Sequence, residues 1–401
     1  MLRGLFDEGR GRVLVFCWLG WVFDFYDLVL FAFVKHDVAA DLGLDLRTDI
    51  AWIDGWTLAA TAVGGFAFGR IADRIGRRTA LTTSILIYSA GAFATAFADG
   101  FVSLLVARLV TGIGVGGEWG VGHAVVAETY PDRLRNRAAA VLQAGSPVAM
   151  ALAAAVGCFA APAIGWQACF GLSAAPALLV FFARRAIPGE DRAPGRNSGG
   201  LLDLFRGGYR RSSVALLGLL VLHMTGFWST YAWLPSLLLR DGGATIEFVG
   251  WFQIGVNAVH VVADVAFGPL ADRFGRRRTF AVFCLVFASG LVAIALGFEH
   301  LRQDLALFGF AMAAVGLGAG TWSCFGVLFA ECYRSDVRAT AASGFYNLAR
   351  GSQLFTQPLL GYLFVVTGSF AVALWVGAAT AVLSAVLIPL VRPADRSRSR
   401  P

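Results

Sequence analysis

Several charged and polar residues stand inside the most apolar parts of this chain, at spacings that suit chemistry better than solubility. Asp24 and Asp27 are three residues apart, hence on one face of a helix. Arg108 begins the run Arg108-Leu-Val-Thr-Gly112-Ile-Gly114-Val-Gly116-Gly117-Glu118, which ends on another acid. Gln253, Asn257, His260 and Asp264 follow one another at i, i+4, i+7 and i+11, a single helical face. Ser343, Asn347 and Arg350 repeat the i, i+4, i+7 rule, with Gln353 and Gln357 beyond them. Carboxylates and histidine carry protons, and arginine grips carboxylates bidentately. A buried arginine such as Arg350 needs an anion, which either Asp264 or the carboxylate of a substrate supplies.

The elements that carry these residues are membrane helices. Of 401 residues, 57% are hydrophobic and only 15% charged, with mean hydropathy +0.68. Soluble domains hold about 25% charged residues. Segments of about 20 apolar residues are long enough to cross a bilayer. Such segments fall near 12–34, 50–69, 79–98, 101–127, 138–160, 165–184, 213–239, 246–269, 279–297, 303–329, 338–366 and 369–391. An ionisable group at membrane depth costs on the order of 2.5–3.5 kcal/mol on insertion scales, so each one above should face a cavity or a partner. By depth, Asp27 and Arg108 match. They form either a proton-coupling pair or a fixed structural ion pair. Glu118 binds a proton or a substrate group, or packs against a neighbouring helix.

The net charge is +7 and the pI about 9.4. With the N-terminus in the cytoplasm, 27 of the 33 basic residues fall on the cytoplasmic side. Four fall outside, among them Lys35, the single lysine; Arg108 and Arg350 lie within spans. This bias is the positive-inside pattern, so the basic pI calls for no nucleic acid. Residues 185–212 form the one long polar stretch. The expected organisation is a six-helix half over 1–184, a cytoplasmic linker over 185–212, and a six-helix half with a short basic tail over 213–401. The six cysteines form no C-x-x-C pair, so neither a metal site nor a disulfide framework is expected. Gly112-x-Gly114-x-x-Gly117 matches a dinucleotide fingerprint but follows no strand, so it is rejected. No Walker A sequence exists, so ATP is not the energy source.

The chain also repeats itself. Gly69-Arg-Ile-Ala-Asp73-Arg74-Ile-Gly76-Arg77-Arg78 returns as Gly268-Pro-Leu-Ala-Asp272-Arg273-Phe-Gly275-Arg276-Arg277, offset by 199 residues. A loop of the form G-x-x-x-D-R-x-G-R-R after the second span resembles the signature of the major facilitator superfamily, here present twice. That resemblance implies an all-α membrane protein of twelve transmembrane helices in two pseudo-symmetric six-helix halves. It also implies that Asp73, Arg74, Arg77, Asp272, Arg273 and Arg276 join Glu128, Arg137, Glu331 and Arg338 in a cytoplasmic gate. In that gate Asp73 works with Arg338, and Asp272 with Arg137, to latch the halves when the site faces outward. Otherwise these charges only anchor helix ends in the lipid interface.

R-x-x-x-G-I-G-V-G resembles span four of proton-coupled sugar and organic-acid porters, where the arginine faces a span-one carboxylate that takes up the proton. Gly116-Gly117-Glu118-Trp119, with the Asp-x-x-Asp of span one, is similar to the metabolite–proton symporter branches, including sialate and monocarboxylate porters. The resemblance assigns proton coupling to Asp24, Asp27, Arg108 and Glu118. His223 stands at the position equivalent to Asp24 at the 199 offset. With Gln253, Asn257, His260, Asp264, Asn347 and Arg350 it makes up the expected substrate site. The expected function is proton-coupled uptake of a small organic anion by alternating access. The expected place is a bacterial inner membrane, with both termini in the cytoplasm. The expected partners are the lipid bilayer and a carboxylate substrate. No cofactor beyond the coupling proton, no obligate protein partner and no enzymatic activity are expected. Sugar symport, proton-driven export and a non-transporting sensor are the rivals. Export is weakened because Gln143-Ala-Gly145-Ser146-Pro147 lacks most glycines of the antiporter signature G-x-x-x-G-P-x-x-G-G.

Overall fold

The computed structural model describes residues 5–7, 9–178, 180–181, 204–205, 209–241, 243–297, 300, 303–333 and 335–391. Most of the expected linker, and the basic tail after Val391, lie outside the described residues. Among those described there are helices and no strands. Lipid supplies no hydrogen bonds, so a spanning backbone must satisfy its own, and a helix does this within one segment.

Spans one to three are Arg10–Leu42, Asp49–Arg74 and Arg77–Thr95. Span four is Phe101–Val115 continued by Glu118–Thr129, with a local break at the glycines between them. Span five runs through Asp132–Gln143, Gly145–Ala155 and a π-helical turn, Val156–Ala160. Ala161–Leu172 follows, and Gly165 inside it has φ +82°, a left-handed value that suits glycine. The chain turns there from span five into span six. Span seven is Arg210–Ser236 with a π-helical end, Leu237–Asp241. Spans eight and nine are Ile246–Phe274 and Arg276–Gly297. Span ten is Leu305–Ala319 with Trp322–Cys332, span eleven Ser335–Gly351 with Gln353–Thr367, and span twelve Ala371–Leu387.

Eight helices among the described residues are long and apolar enough to cross a membrane. One of them, Arg137–Leu178, is 42 residues long and holds spans five and six. The other three spans, two, three and eleven, are diluted by Gly, Ser, Thr and charged residues. Two of these, spans two and eleven, pack on each other between the halves, where they need not be as greasy as a lipid-facing helix. Span five packs on span eight, and spans one and seven also meet. The repeat exchanges the two-to-eleven and five-to-eight contacts, which gives the bundle its pseudo-symmetry.

Span one is longer than expected, reaching Leu42 instead of ending near 34. Lys35 is therefore not an outer-loop residue. It lies inside the helix with no exposed surface. The extension is stable because Asp54 of span two reaches the ammonium, 3.4 Å from Nζ.

Glycines set the closest helix contacts. A side chain at Gly112 would run into the Thr57 carbonyl and Ala60 of span two, and one at Gly114 into Tyr88 of span three. Gly316 and Gly318 do the same against Val259 and Phe287 in the second half. The seam between spans two and eleven is similar: Gly55 faces Pro358, Gly65 faces Asn347, Gly351 faces Ala62, and Gly361 faces Ala51. Small residues let membrane helices approach where no hydrophobic force drives them together.

Replacing Gly112 by Leu should destabilise the bundle by at least the ~1–3 kcal/mol typical of overpacking. The expected reading is a lower melting temperature of the purified protein in detergent. Gly309→Leu, at a position with open space around it, should leave the melting temperature unchanged.

Candidate functional site

The charged residues gather in a buried layer between the halves. Arg108 Nη1 donates to Asp27 Oδ2 at 2.8 Å, both side chains being buried, so the pair allowed by their matching depth is formed. The guanidinium also lies 5.0 Å over Phe31 and 5.6 Å over Phe170. Rings on two sides and a carboxylate on the third fix Arg108 in place. Asp24 is also fully buried, and neither of its carboxylate oxygens has a hydrogen-bond partner among the described residues. Glu118 takes a hydrogen bond from Ser84 Oγ at 3.3 Å and lies directly over Gly20, whose missing side chain makes the room. Asp24 and Glu118 lie within each other's electrostatic reach.

The opposite half supplies the cation. Arg350 has no exposed surface. Its Nη2 donates to Tyr346 Oη at 3.0 Å, one turn back on span eleven, and its guanidinium sits 4.9 Å over the same ring. Nε and Nη1 have no partner among the described residues. Arg350 lies within electrostatic reach of Asp24 across the interface. It does not pair with Asp264, one of the two anions the sequence offered it. Asp264 takes a hydrogen bond from Ser323 at 2.8 Å and lies 3.6 Å from His260 Nε2, inside its own half. Span eight turns that end of its stripe toward span ten.

The rest of the stripe is buried and half-satisfied. Asn257 Nδ2 donates to the Gln253 carbonyl at 2.7 Å, while Gln253 Oε1 and Asn257 Oδ1 have no partner among the described residues. Asn347 donates to the Ser343 carbonyl at 3.0 Å and is pressed against Gly65, so it serves the seam as well as the site. His223 turns away from the interface. It lies 3.0 Å from Thr321 Oγ1 and packs against Trp322 and Phe325, beside a cavity of about 20 Å³ within the second half.

Aromatic residues close the layer. Trp119 stacks on Tyr346 across the halves at 4.0 Å and 9°. Phe25 meets Phe227 and Trp228, also across the halves. The Trp21 and Trp228 indole nitrogens and the Tyr231 hydroxyl are buried without partners among the described residues. Tyr346 carried a readable signal, since it stands one helical turn before Arg350.

The two ends of the bundle differ. At the end bearing the repeated loops each half pairs its own charges: Arg77 donates to Glu128 at 3.3 Å, and Arg276 bonds Glu331. Asp272 and Arg137, expected to work together, are both exposed and no ion pair joins them. Arg74 and Arg273 are exposed, and Arg273 covers the ring of Phe274. The side chains of Asp73 and Arg338 lie outside the described residues. Hydrogen bonds joining the halves cluster at the opposite end: His36 to Ser236 at 2.9 Å, Arg240 to His36 at 3.1 Å, and Arg47 to the Gly368 carbonyl at 3.2 Å. Among the described residues, the hydrogen bonds that join the halves are thus at the far end.

Comparison with known proteins accords with this geometry. The sequence profile of the Major Facilitator Superfamily matches residues 17–259 and 216–401. A Haemophilus influenzae protein provisionally named a metabolite transport protein is 29% identical over 377 residues, covering 90% of this chain and 91% of its own. The sialic acid transporter NanX of Escherichia coli is 27% identical over 390 residues, covering 95% and 93%. The crystal structure of a D-xylose-proton symporter superposes with a TM-score of 0.79 at 17% identity, covering 98% of this chain and 100% of that one. Matched by the profile over nearly its whole length, this chain belongs to the Major Facilitator Superfamily and is a multi-pass membrane transporter, not an enzyme.

Proposed function

We propose that the protein is a proton-coupled symporter that takes up a small organic anion, a monocarboxylate or sialate, by alternating access. Its place is a bacterial inner membrane, with both termini and the repeated basic loops in the cytoplasm. The observation that carries this reading is Arg350: a fully buried guanidinium between the halves, two of whose nitrogens have no partner among the described residues. A carboxylate can accept from either of these nitrogens, and makes two parallel hydrogen bonds where it also takes the second hydrogen of Nη2. The sialic acid specificity in the name of one relative supports an acid as cargo.

The proton has its own carriers. Asp27 must give up Arg108 to become neutral, whereas Asp24 takes up a proton without breaking any hydrogen bond. Asp24 is also the acid across the interface from Arg350. Its charge competes with a substrate carboxylate for that guanidinium. Protonation removes the competitor, so anion and proton enter together. The buried amides of Gln253 and Asn257, with the Trp21, Trp228 and Tyr231 donors, then meet the polar groups on the rest of the substrate. Rocking of the halves about this layer opens it to either side.

Uptake into proteoliposomes under an imposed inward proton gradient tests the reading, with labelled monocarboxylates and sialate offered in turn. One acid should accumulate, and a protonophore should abolish its accumulation. Accumulation of no acid on any gradient would overturn the proposal. Arg350→Ala should weaken binding of the transported acid by at least ~30-fold, the scale for removing one partner of a buried charge pair. Asp24→Asn should keep exchange of labelled for unlabelled acid but lose proton-driven accumulation. If Asp24→Asn still concentrates the acid, Asp24 is not the carrier.

A further inference from the structure

The single lysine of the chain occupies an unusual place. Lys35 is fully buried in span one, near the far end of the bundle. Asp54 of span two lies 3.4 Å from its Nζ, within the same half. The ammonium also sits 3.3 Å from the ring centroid of Trp233, which belongs to span seven of the other half. Trp233 is itself held firmly. Its Nε1 donates to Gln357 Oε1 at 2.7 Å, and its ring lies against Phe364 and Phe370. The neighbouring His36 bonds Ser236 of span seven, which extends the same cross-half contact by one residue.

A cation–π contact gains strength when water is excluded, and lysine's compact ammonium is strongly hydrated when water reaches it. Asp54 travels with Lys35, because both belong to the first half. Parting the halves at this end therefore separates the ammonium from the indole without breaking the ion pair. Water then replaces the ring. The contact has two states of comparable merit, closed and dry or open and hydrated, and neither leaves an unpaired charge.

We propose that Lys35 and Trp233 form the latch of the outer end: joined while the transport site faces the cytoplasm, and parted each time it faces outward. They are positioning residues that hold one half against the other. The proposal does not depend on which substrate or coupling ion is carried.

The sequence makes the test clean. Lys35 is the only lysine, so a membrane-impermeant amine-reactive ester added outside has this one side chain as its target, and peptide mass spectrometry identifies the modified peptide. All six cysteines are buried, so spin labels on cysteines placed at the exposed Ala40 and Glu247 report the separation of the halves at this end. Trp233→Leu should raise Lys35 modification from outside at least ~tenfold and shift the Ala40-to-Glu247 distances to longer values. Trp233→Phe, which keeps a weaker ring, should fall between Trp233→Leu and the natural protein. Lys35→Met, which keeps the volume and removes the charge, should lengthen the same distances. Should Trp233→Leu fail to fold, Trp233→Phe and Lys35→Met decide the matter by the spin-label distances. Natural modification rates in the Trp233 variants, or distances unchanged in Lys35→Met, would overturn the latch.

Discussion

A guanidinium with no surface, held at the centre of a lipid-embedded bundle, has to be answered by negative charge or by dipoles. Arg350 has only part of an answer. Tyr346 meets one nitrogen and lends its ring; the other two have no partner among the described residues. The deficit is met by Asp24 across the interface, by cargo, or by water when the layer opens. Much of the surrounding structure follows from this demand. The rings of Trp119 and Tyr346 close one side of the layer. Asp27 and Arg108 neutralise each other nearby, so Arg108 does not compete with Arg350 for an anion.

The contrast between Arg108 and Arg350 shows how one residue type serves two ends. Both are buried, and both stand over aromatic rings. Arg108 has a carboxylate at 2.8 Å and two rings from separate helices, with only Nε buried and unpartnered among the described residues. Arg350 is anchored by a single tyrosine from its own helix. Fixed charges of the first kind hold the frame, and under-answered charges of the second kind are where binding energy is available.

Much of the frame was legible in the sequence. The duplicated loops fixed the repeat, and apolar segments located the helices, although span one runs to Leu42 rather than ending near 34. The Asp27–Arg108 pair followed from matching depths. Cross-helix partners were harder to read, because one chain alone does not say how its helices rotate about their axes. Asp264 looked available to Arg350 by depth, yet span eight turns it toward Ser323. His223 aligned with Asp24 in the repeat but packs inside its own half. Lys35 was misplaced for another reason. A lone lysine after an apolar run reads as the end of a helix, and only its distant partners Asp54 and Trp233 make burial tolerable.

The glycine seam between spans two and eleven bears on how this surface tolerates change. Gly55 meets Pro358 and backbone carbonyls of the facing helix, Gly65 the Asn347 amide, Gly351 the methyl of Ala62, and Gly361 the Arg47 carbonyl and Ala51. A glycine has no rotamers, so a surface made of them unlocks no side chain when one half slides along the other. The same feature leaves no slack for mutation. A side chain added at Gly361 would run into the Arg47 carbonyl and needs the backbone there to move, whereas a lipid-facing leucine exchanges more freely for valine or phenylalanine. This seam thus depends on the shape its glycines leave, more than on the chemistry of any one side chain.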